Sequence, residues 1–169
     1  QATLRVVKVF WSLEAPLAYS RHFPAISWLN SYSLYTDELA DYYRKESPEW
    51  IEMREKAREI LQQEAELEEI VRLIGIDAIS PDNRLIMETA KSIREDFLQQ
   101  NAFHEIDTYA SFKKQFKMLE LIMLYHQRAQ QALKSGHSII DLANLDVREE
   151  IARIKFVSED KFDESFEQV

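Results

Sequence analysis

Cysteine is absent from this 169-residue sequence, and glycine and proline are scarce, with two and four residues respectively. The absence of cysteine excludes disulfides, zinc–thiolate sites and thiol catalysis within these residues. Sandwiches, barrels and nucleotide-binding folds need many turns, which glycine and proline supply. Their scarcity therefore favours long helices, and a hydrophobic content of 46% is enough to give such helices a buried core.

Positive charge is also in deficit, because 21 basic residues face 30 acidic ones and the net charge is −9. A chain with this balance repels phosphate backbones, so we expect no nucleic-acid partner. No apolar run approaches the length that spans a bilayer, and we expect no direct membrane insertion. The sequence starts with Gln1 rather than methionine, which leads us to expect a piece of a longer polypeptide.

The first 35 residues contain one strand-like segment. Residues 3–11 are rich in β-branched and aromatic side chains and predict a strand. Because a single strand is not stable alone, we expect it to come from a sheet that lies outside this sequence. Residues 12–35 are expected to be irregular, since Pro16 and Pro24 interrupt any long helix.

From residue 36 onwards the pattern is helical, beginning with a short helix to about residue 45 that Thr36-Asp37 can cap. Ser47-Pro48-Glu49 and Ser80-Pro81-Asp82 each combine a capping hydroxyl, a proline for the first helical position and an acid. They predict two long helices, the first ending at a left-handed cap on Gly75 and carrying an apolar stripe with Glu64 as its one polar member. The short connection predicts an antiparallel pair.

Three further helices complete the prediction. A third long helix with a wide apolar face is expected to run from about Phe112 to Gly136 and to be the most buried element. Shorter helices are expected to start at a capping box over residues 146–149 and at Ser158. The fold class is therefore mainly α, an antiparallel helical bundle over residues 36–169 preceded by a strand-like segment.

Catalytic motifs are missing from the sequence. Two isolated glycines cannot form the loop that cradles phosphates, so we expect no triphosphate cleavage by this chain unaided. No histidine pair has helical metal-site spacing, because Thr108 stands where the His104-Glu105 start would need a second histidine. We expect surface or partner-facing histidines instead, and assign neither a metal site nor a catalytic residue.

Two phenylalanines are candidates for stacking on a flat heterocycle. Phe23 precedes Pro24, which restricts it to extended conformations and holds it on a stiff turn. Phe103 follows Gln100 and the small Ala102, so a purine has room to stack on its ring, an interaction worth about 1–3 kcal/mol. Both rings also fit ordinary core packing, which the pattern alone favours.

Five segments together resemble the catalytic A subunit of archaeal- and vacuolar-type rotary ATPases, over its C-terminal part only. They are TLRVVKVFW at 3–11, RHFPAISWL at 21–29, SYSLY at 31–35, FLQQNAF at 97–103 and LDVREE at 145–150. The resemblance implies that the β-barrel, the phosphate-binding loop and the catalytic glutamate lie upstream of Gln1. Residues 1–35 would be the tail end of the nucleotide-binding domain, and residues 36–169 the C-terminal helical bundle domain.

The resemblance also implies two sites. By analogy with the related catalytic β subunit of ATP synthases, Phe23 and Phe103 hold the adenine ring, and Ala102 and Gln100 line the pocket edge. The tip of the helical hairpin aligns with the lever that touches the central rotor shaft, and it comprises Asp77, Ala78, Ile79, Ser80, Pro81 and Asp82. With only two acids in this tip, we expect a stiff hairpin to push sterically rather than steer by charge.

Cofactors, partners and location follow from the same resemblance. We expect ATP or ADP with Mg in the full-length subunit, and no cofactor and no ATPase activity in the isolated fragment. The expected partners are non-catalytic B subunits in an alternating hexameric ring and the central rotor stalk, in the soluble, cytoplasmic head of a membrane-peripheral complex. The alternatives are a helical scaffold or adaptor without a nucleotide role and, third, a stand-alone helical enzyme.

Overall fold

Helices account for most of the regular structure in a computed structural model that describes residues 7–169. The described α-helices are α1 (Ala15–Tyr19), α2 (Ala40–Glu46), α3 (Trp50–Ile74), α4 (Pro81–Ser92), α5 (Phe112–Lys134), α6 (Ile139–Ala143), α7 (Val147–Arg153) and α8 (Phe162–Gln168). A π-helical turn, Ile93–Leu98, continues α4, and 3₁₀ turns cover Ile76–Ala78 and Ile154–Phe156. The mainly α prediction is confirmed.

The hairpin of α3 and α4 forms as the two start signals predict, but only one of them caps as expected. Ser80 Oγ accepts a hydrogen bond from the Asn83 N–H at 3.2 Å at the start of α4. The Ser47 hydroxyl is instead buried without a hydrogen-bond partner among the described residues, and α3 begins only at Trp50. Gly75 has the expected positive φ of 85°, but its ψ of 158° lies outside the left-handed helical region.

Helix α5 lies at the centre of the bundle and contacts α3, α4, α7 and the π-helical turn. Eight of its residues are buried, more than in any other described helix, as predicted. The most completely buried apolar side chains, each at most 2% exposed, are Leu85, Ala90, Ile93, Leu119, Ile122, Ala129 and Phe162. Burying a side chain of leucine or phenylalanine size contributes about 1.5–3 kcal/mol, so this core is the main source of stability.

The N-terminal segment corrects the prediction of one orphaned strand followed by irregular chain. Strand β1 is short, Val9–Phe10, and pairs antiparallel with β2, Tyr32–Ser33, in the register Val9 to Ser33 and Phe10 to Tyr32. The Phe10 and Tyr32 rings stack with centroids 5.8 Å apart, a cross-strand contact that helps fix this register. Pro16 lies in the first turn of α1, where its missing N–H has no partner to lose. Residues 3–6 of the predicted strand lie outside the described residues.

The C-terminal third differs from the sequence prediction in its caps. Asp146 precedes α7 but already has helical dihedrals, and its carboxylate makes no capping bond, so the capping box does not form. Arg148 binds Glu88 of α4 at 2.7 Å instead and anchors α7 to the bundle. Helix α8 starts at Phe162, later than the signal at Ser158, and the Phe162 ring is buried.

Two of the four histidines are buried, which corrects the expectation that they face solvent or partners. His126 of α5 has its Nδ1 2.7 Å from Thr89 Oγ1, and the Thr89 hydroxyl donates to the Leu85 carbonyl at 2.9 Å. A hydroxyl has one proton, so Thr89 accepts from the Nδ1–H of His126. This contact joins α4 to α5 inside the core.

His126 is expected to make the fold acid-sensitive. Burial lowers the pKa of His126 below its ordinary value, so the folded chain binds fewer protons than the unfolded chain does. The contribution of His126 to the free energy of unfolding is complete above its pKa in the unfolded chain, about 6.5. This contribution is lost as the pH falls from that value through the lower pKa of the folded chain. Urea unfolding at a series of pH values is expected to show that the free energy of unfolding falls less steeply with decreasing pH for His126→Gln than for the wild type. Parallel curves for the two proteins would contradict this.

Candidate functional site

A loop over residues 21–24 docks on the π-helical turn that ends α4. His22 is buried, and its Nε2 lies 3.0 Å from the Arg94 carbonyl oxygen. The Gln100 N–H donates to the Phe23 carbonyl at 2.7 Å. The two segments that were predicted to share one pocket are therefore hydrogen-bonded to each other across a long sequence separation.

The two phenylalanine rings face solvent, so core packing is wrong for both. Phe23 is 52% exposed and Phe103 is 99% exposed. Neither ring contacts the other, whereas Phe23 and Gln100 are joined through their backbones and Ala102 is exposed on the turn that follows. Both rings are therefore accessible to a ligand or a partner.

The turn that presents Phe103 is fixed by its own hydrogen bonds. The Phe103 N–H donates to Asn101 Oδ1 at 3.1 Å, and the Asn101 N–H donates to the buried Asp107 carboxylate at 2.6 Å. Thr108 Oγ1 donates to the Ala102 carbonyl at 3.2 Å. The backbone below the exposed ring is therefore ordered before any ligand arrives, which lowers the entropic cost of binding.

The π-helical turn also binds α3 through a buried ion pair that the sequence reasoning did not identify. The Arg94 guanidinium donates to both Glu64 oxygens, from Nε at 3.0 Å and from Nη2 at 2.8 Å. Burial raises the pKa of Glu64, and the positive charge of Arg94 opposes this rise. The available signal was the position of Glu64 as the one polar residue of an apolar stripe.

The tip of the α3–α4 hairpin is open to solvent. Of the six residues predicted there, Ile79 is half-buried and the others are exposed, and Asp77 binds Arg84 at 3.3 Å. Next to them lie apolar side chains that the prediction left out, with Leu73 83% exposed and Ile74 56% exposed. Exposed apolar residues clustered at one end of a helical hairpin are typical of a contact surface.

No metal site accompanies these features, because no group of three or more histidine, aspartate or glutamate side chains converges within residues 7–169. None of the helices in the same range has both the length and the apolarity needed to cross a membrane.

Comparison with known proteins gives consistent results. Residues 39–142 match a family model described as the C-terminal domain of V and A type ATP synthase. V-type ATP synthase alpha chains of Thermoanaerobacter pseudethanolicus and of Clostridium botulinum strain Hall are 59% and 56% identical to this chain over 97% and 96% of its length. The chain spans only 28% of the length of each of these relatives.

A solved structure supports the fold alone. The ATP synthase subunit NeqB from Nanoarcheaum equitans superimposes with a TM-score of 0.58 and 19% sequence identity, over 73% of this chain and 29% of that one.

Proposed function

This chain belongs to the family of C-terminal domains of V- and A-type ATP synthases, and we propose that it forms the adenine side of the nucleotide site and the rotor lever in the catalytic subunit of a rotary ATPase. The observation that carries the first part is the hydrogen bond between Gln100 and Phe23, which joins two segments that each present an exposed ring. We call Phe23, Gln100, Ala102 and Phe103 the adenine wall.

The adenine wall is suited to a flat aromatic ligand and not to phosphate chemistry. Its exposed rings offer stacking surfaces, and the backbone below Phe103 is held by hydrogen bonds. The described residues carry no converging acidic cluster, so we assign the Mg²⁺ that accompanies ATP or ADP to residues outside this chain. Phosphoryl transfer is likewise assigned to the rest of the subunit, and this fragment alone is inactive.

The lever proposal rests on the hairpin of α3 and α4. The residues proposed to contact the rotor stalk are Asp77, Ala78, Ile79, Ser80, Pro81 and Asp82, together with the exposed apolar Leu73 and Ile74. Because Asp77 is paired with Arg84, Asp82 is the one acid of the tip without an ion pair within residues 7–169, and contact through shape and apolar surface is favoured over charge steering. Packed helices move as rigid bodies, so the hairpin transmits displacement to its tip.

Membership of this family supports a proposal for the assembly. The remaining partners in this proposal are non-catalytic B subunits that alternate with the catalytic subunit in a hexameric ring. The ring lies in the cytoplasm as part of the soluble head, peripheral to the membrane. Residues 1–35 act as the end of the nucleotide-binding domain, and residues 36–169 act as the C-terminal helical domain.

Nucleotide binding by the full-length subunit tests the adenine wall. Phe23→Ala and Phe103→Ala are each expected to raise the Kd for ATP about tenfold, because each variant removes one stacking surface. Inorganic tripolyphosphate, which lacks the base, is expected to bind all variants equally. Tyr109→Ala is a matched control, since Tyr109 is also an exposed aromatic, 72% accessible, close to Phe103 in sequence.

Unchanged ATP affinity in both phenylalanine variants would reject the adenine wall. It would favour the alternative of a helical scaffold or adaptor, for which the exposed tip of the hairpin would be a protein contact without any nucleotide dependence.

A further inference from the structure

The π-helical turn, Ile93–Leu98, is where the adenine wall and the lever hairpin meet. On one side its Arg94 carbonyl contacts the ring of His22, the residue before Phe23. On the other side the Arg94 guanidinium binds Glu64 in the middle of α3. Insertions of π geometry into α-helices occur frequently at functional sites, because they redirect backbone groups that a regular helix would use internally.

We propose that His22 is a positioning residue for ATP. Its ring binds the loop that carries Phe23 to the π-helical turn, and Glu64 binds the same turn to the lever hairpin. The adenine wall and the lever hairpin therefore move as one rigid body. This inference rests on the proposed function, and it adds a residue and a mechanical link to it. His22 acts through Phe23 and is not itself placed against the nucleotide.

The contacts of His22 explain why this residue type is used. Its Nε2 faces the Arg94 carbonyl at 3.0 Å, and its Nδ1 faces the Pro24 carbonyl at 3.2 Å. Carbonyl oxygens only accept, so the ring nitrogen that carries the proton donates to one of these two carbonyls, and the planar ring lies between both. The ring is buried and packs against Trp28 with centroids 5.5 Å apart, so water does not compete freely for this hydrogen bond.

Three further contacts make the link continuous. The Phe23 carbonyl is held by the Gln100 N–H just beyond the turn, at 2.7 Å. The Arg94 carbonyl also accepts the Gln99 N–H at 2.9 Å, which fixes the end of the turn. The bidentate pair of Arg94 and Glu64 constrains orientation as well as distance. A displacement of α3 therefore carries the Phe23 loop with it.

The first test measures ligand affinity in the full-length subunit. His22→Ala is expected to raise the Kd for ATP about fivefold, less than removal of the Phe23 ring itself, and to leave the Kd for inorganic tripolyphosphate unchanged. A general loss of structure would weaken both ligands. His22→Gln keeps a donor that can reach the Arg94 carbonyl and is expected to recover most of the ATP affinity, while His137→Ala, at an exposed histidine, is the matched control.

An unchanged ATP affinity in His22→Ala, with Phe23→Ala still weakened, would overturn the positioning role and leave the proposed function intact. Equal weakening of ATP and tripolyphosphate would also overturn it, since His22 would then be a structural residue only.

The second test measures whether the wall and the lever move together, and it does not depend on adenine binding at Phe23. Spin labels on cysteines introduced at Tyr19, beside the loop, and Ala78, at the tip, report their separation by pulsed electron resonance in the full-length subunit. Both positions are exposed. One narrow distribution of distances between the labels is expected with and without ATP, and His22→Ala is expected to broaden this distribution. A distance that changes with ATP in the otherwise unaltered subunit, or one that His22→Ala leaves narrow, would overturn the link.

Discussion

Replacing Arg94 with methionine is expected to lower the free energy of unfolding by about 3 kcal/mol, because it leaves the Glu64 carboxylate buried without a partner. The Glu64 side chain is only 5% exposed, and both of its oxygens lose a donor. Breaking a buried ion pair costs about 3–5 kcal/mol. The lower end applies here because the Arg94 side chain is 28% exposed, so water can enter part of the space that it leaves.

The double variant separates the cost of an unpaired charge from the value of the pair. Replacing Glu64 and Arg94 together with methionine removes both charges and fills a similar volume. Apolar replacement of a buried pair is often neutral or stabilising, so the double variant is expected to unfold within about 1 kcal/mol of the wild type. Urea unfolding of the chain, followed by far-ultraviolet circular dichroism, measures the free energy of unfolding of the wild type, of Arg94→Met and of the double variant.

The pH dependence of the Arg94 variant gives an independent readout. Burial already raises the pKa of Glu64, and removing Arg94 takes away the charge that opposes this rise. A carboxyl group with a raised pKa in the folded state stabilises that state below the unfolded pKa, and the contribution is lost as the pH rises through the folded pKa. The difference in free energy of unfolding between the wild type and Arg94→Met is therefore expected to grow from mildly acidic to neutral pH. A deficit that is constant with pH, or a double variant as unstable as the single one, would contradict this account.

The long helices were predictable because their signals are local. The Ser80 cap, the apolar stripes and the glycine at the hairpin turn each act within one or two turns of chain, and all three appear in the structure. The same reasoning fails where a tertiary contact determines the local structure. Ser47 has the right residue type for a cap, yet its hydroxyl is buried and has no hydrogen-bond partner in the part of the chain that the structure describes, because the chain enters α3 later, at Trp50.

Pairing over long separations was beyond sequence reasoning. Strand β2 lies within residues 12–35, which sequence reasoning predicted to be irregular, and its pairing with β1 makes it a strand. The Arg148 contact with Glu88 replaces the local capping box that its own segment predicts. Such contacts depend on the three-dimensional packing, which no window of sequence contains.

The candidate site was predictable to a similar degree. The stiff presentation of Phe23 follows from the proline after it, but the pattern favoured a buried ring, and its assignment to adenine came from family resemblance. Exposure of both phenylalanines removes the core-packing interpretation, and their role with adenine stays a prediction. His22 and Glu64 could not be joined in sequence, since their common partner Arg94 is distant from both.

Lys113 and Lys114 show this limit most directly, because the sequence gives two adjacent lysines and the structure gives them opposite environments. Lys113 is exposed and pairs with Asp163 at the surface. Lys114 is 1% exposed, and its ammonium donates to the carbonyls of Lys155 at 2.8 Å and Val157 at 2.7 Å. Burial lowers the pKa of Lys114, which the nearby carboxylates partly oppose. This side chain fastens the segment before α8 to the central helix.

Lys114→Met is therefore expected to lower the free energy of unfolding by about 3 kcal/mol, since it removes two hydrogen bonds from a charged donor and leaves two carbonyls without it. Methionine fills nearly the same space, so the loss reports the bonds and not a cavity. Lys113→Met, the matched control, breaks only a surface pair and is expected to cost less than about 1 kcal/mol. Equal unfolding free energies for the two variants would mean that water or another donor satisfies both carbonyls, and that the buried ammonium does not hold the C-terminal segment.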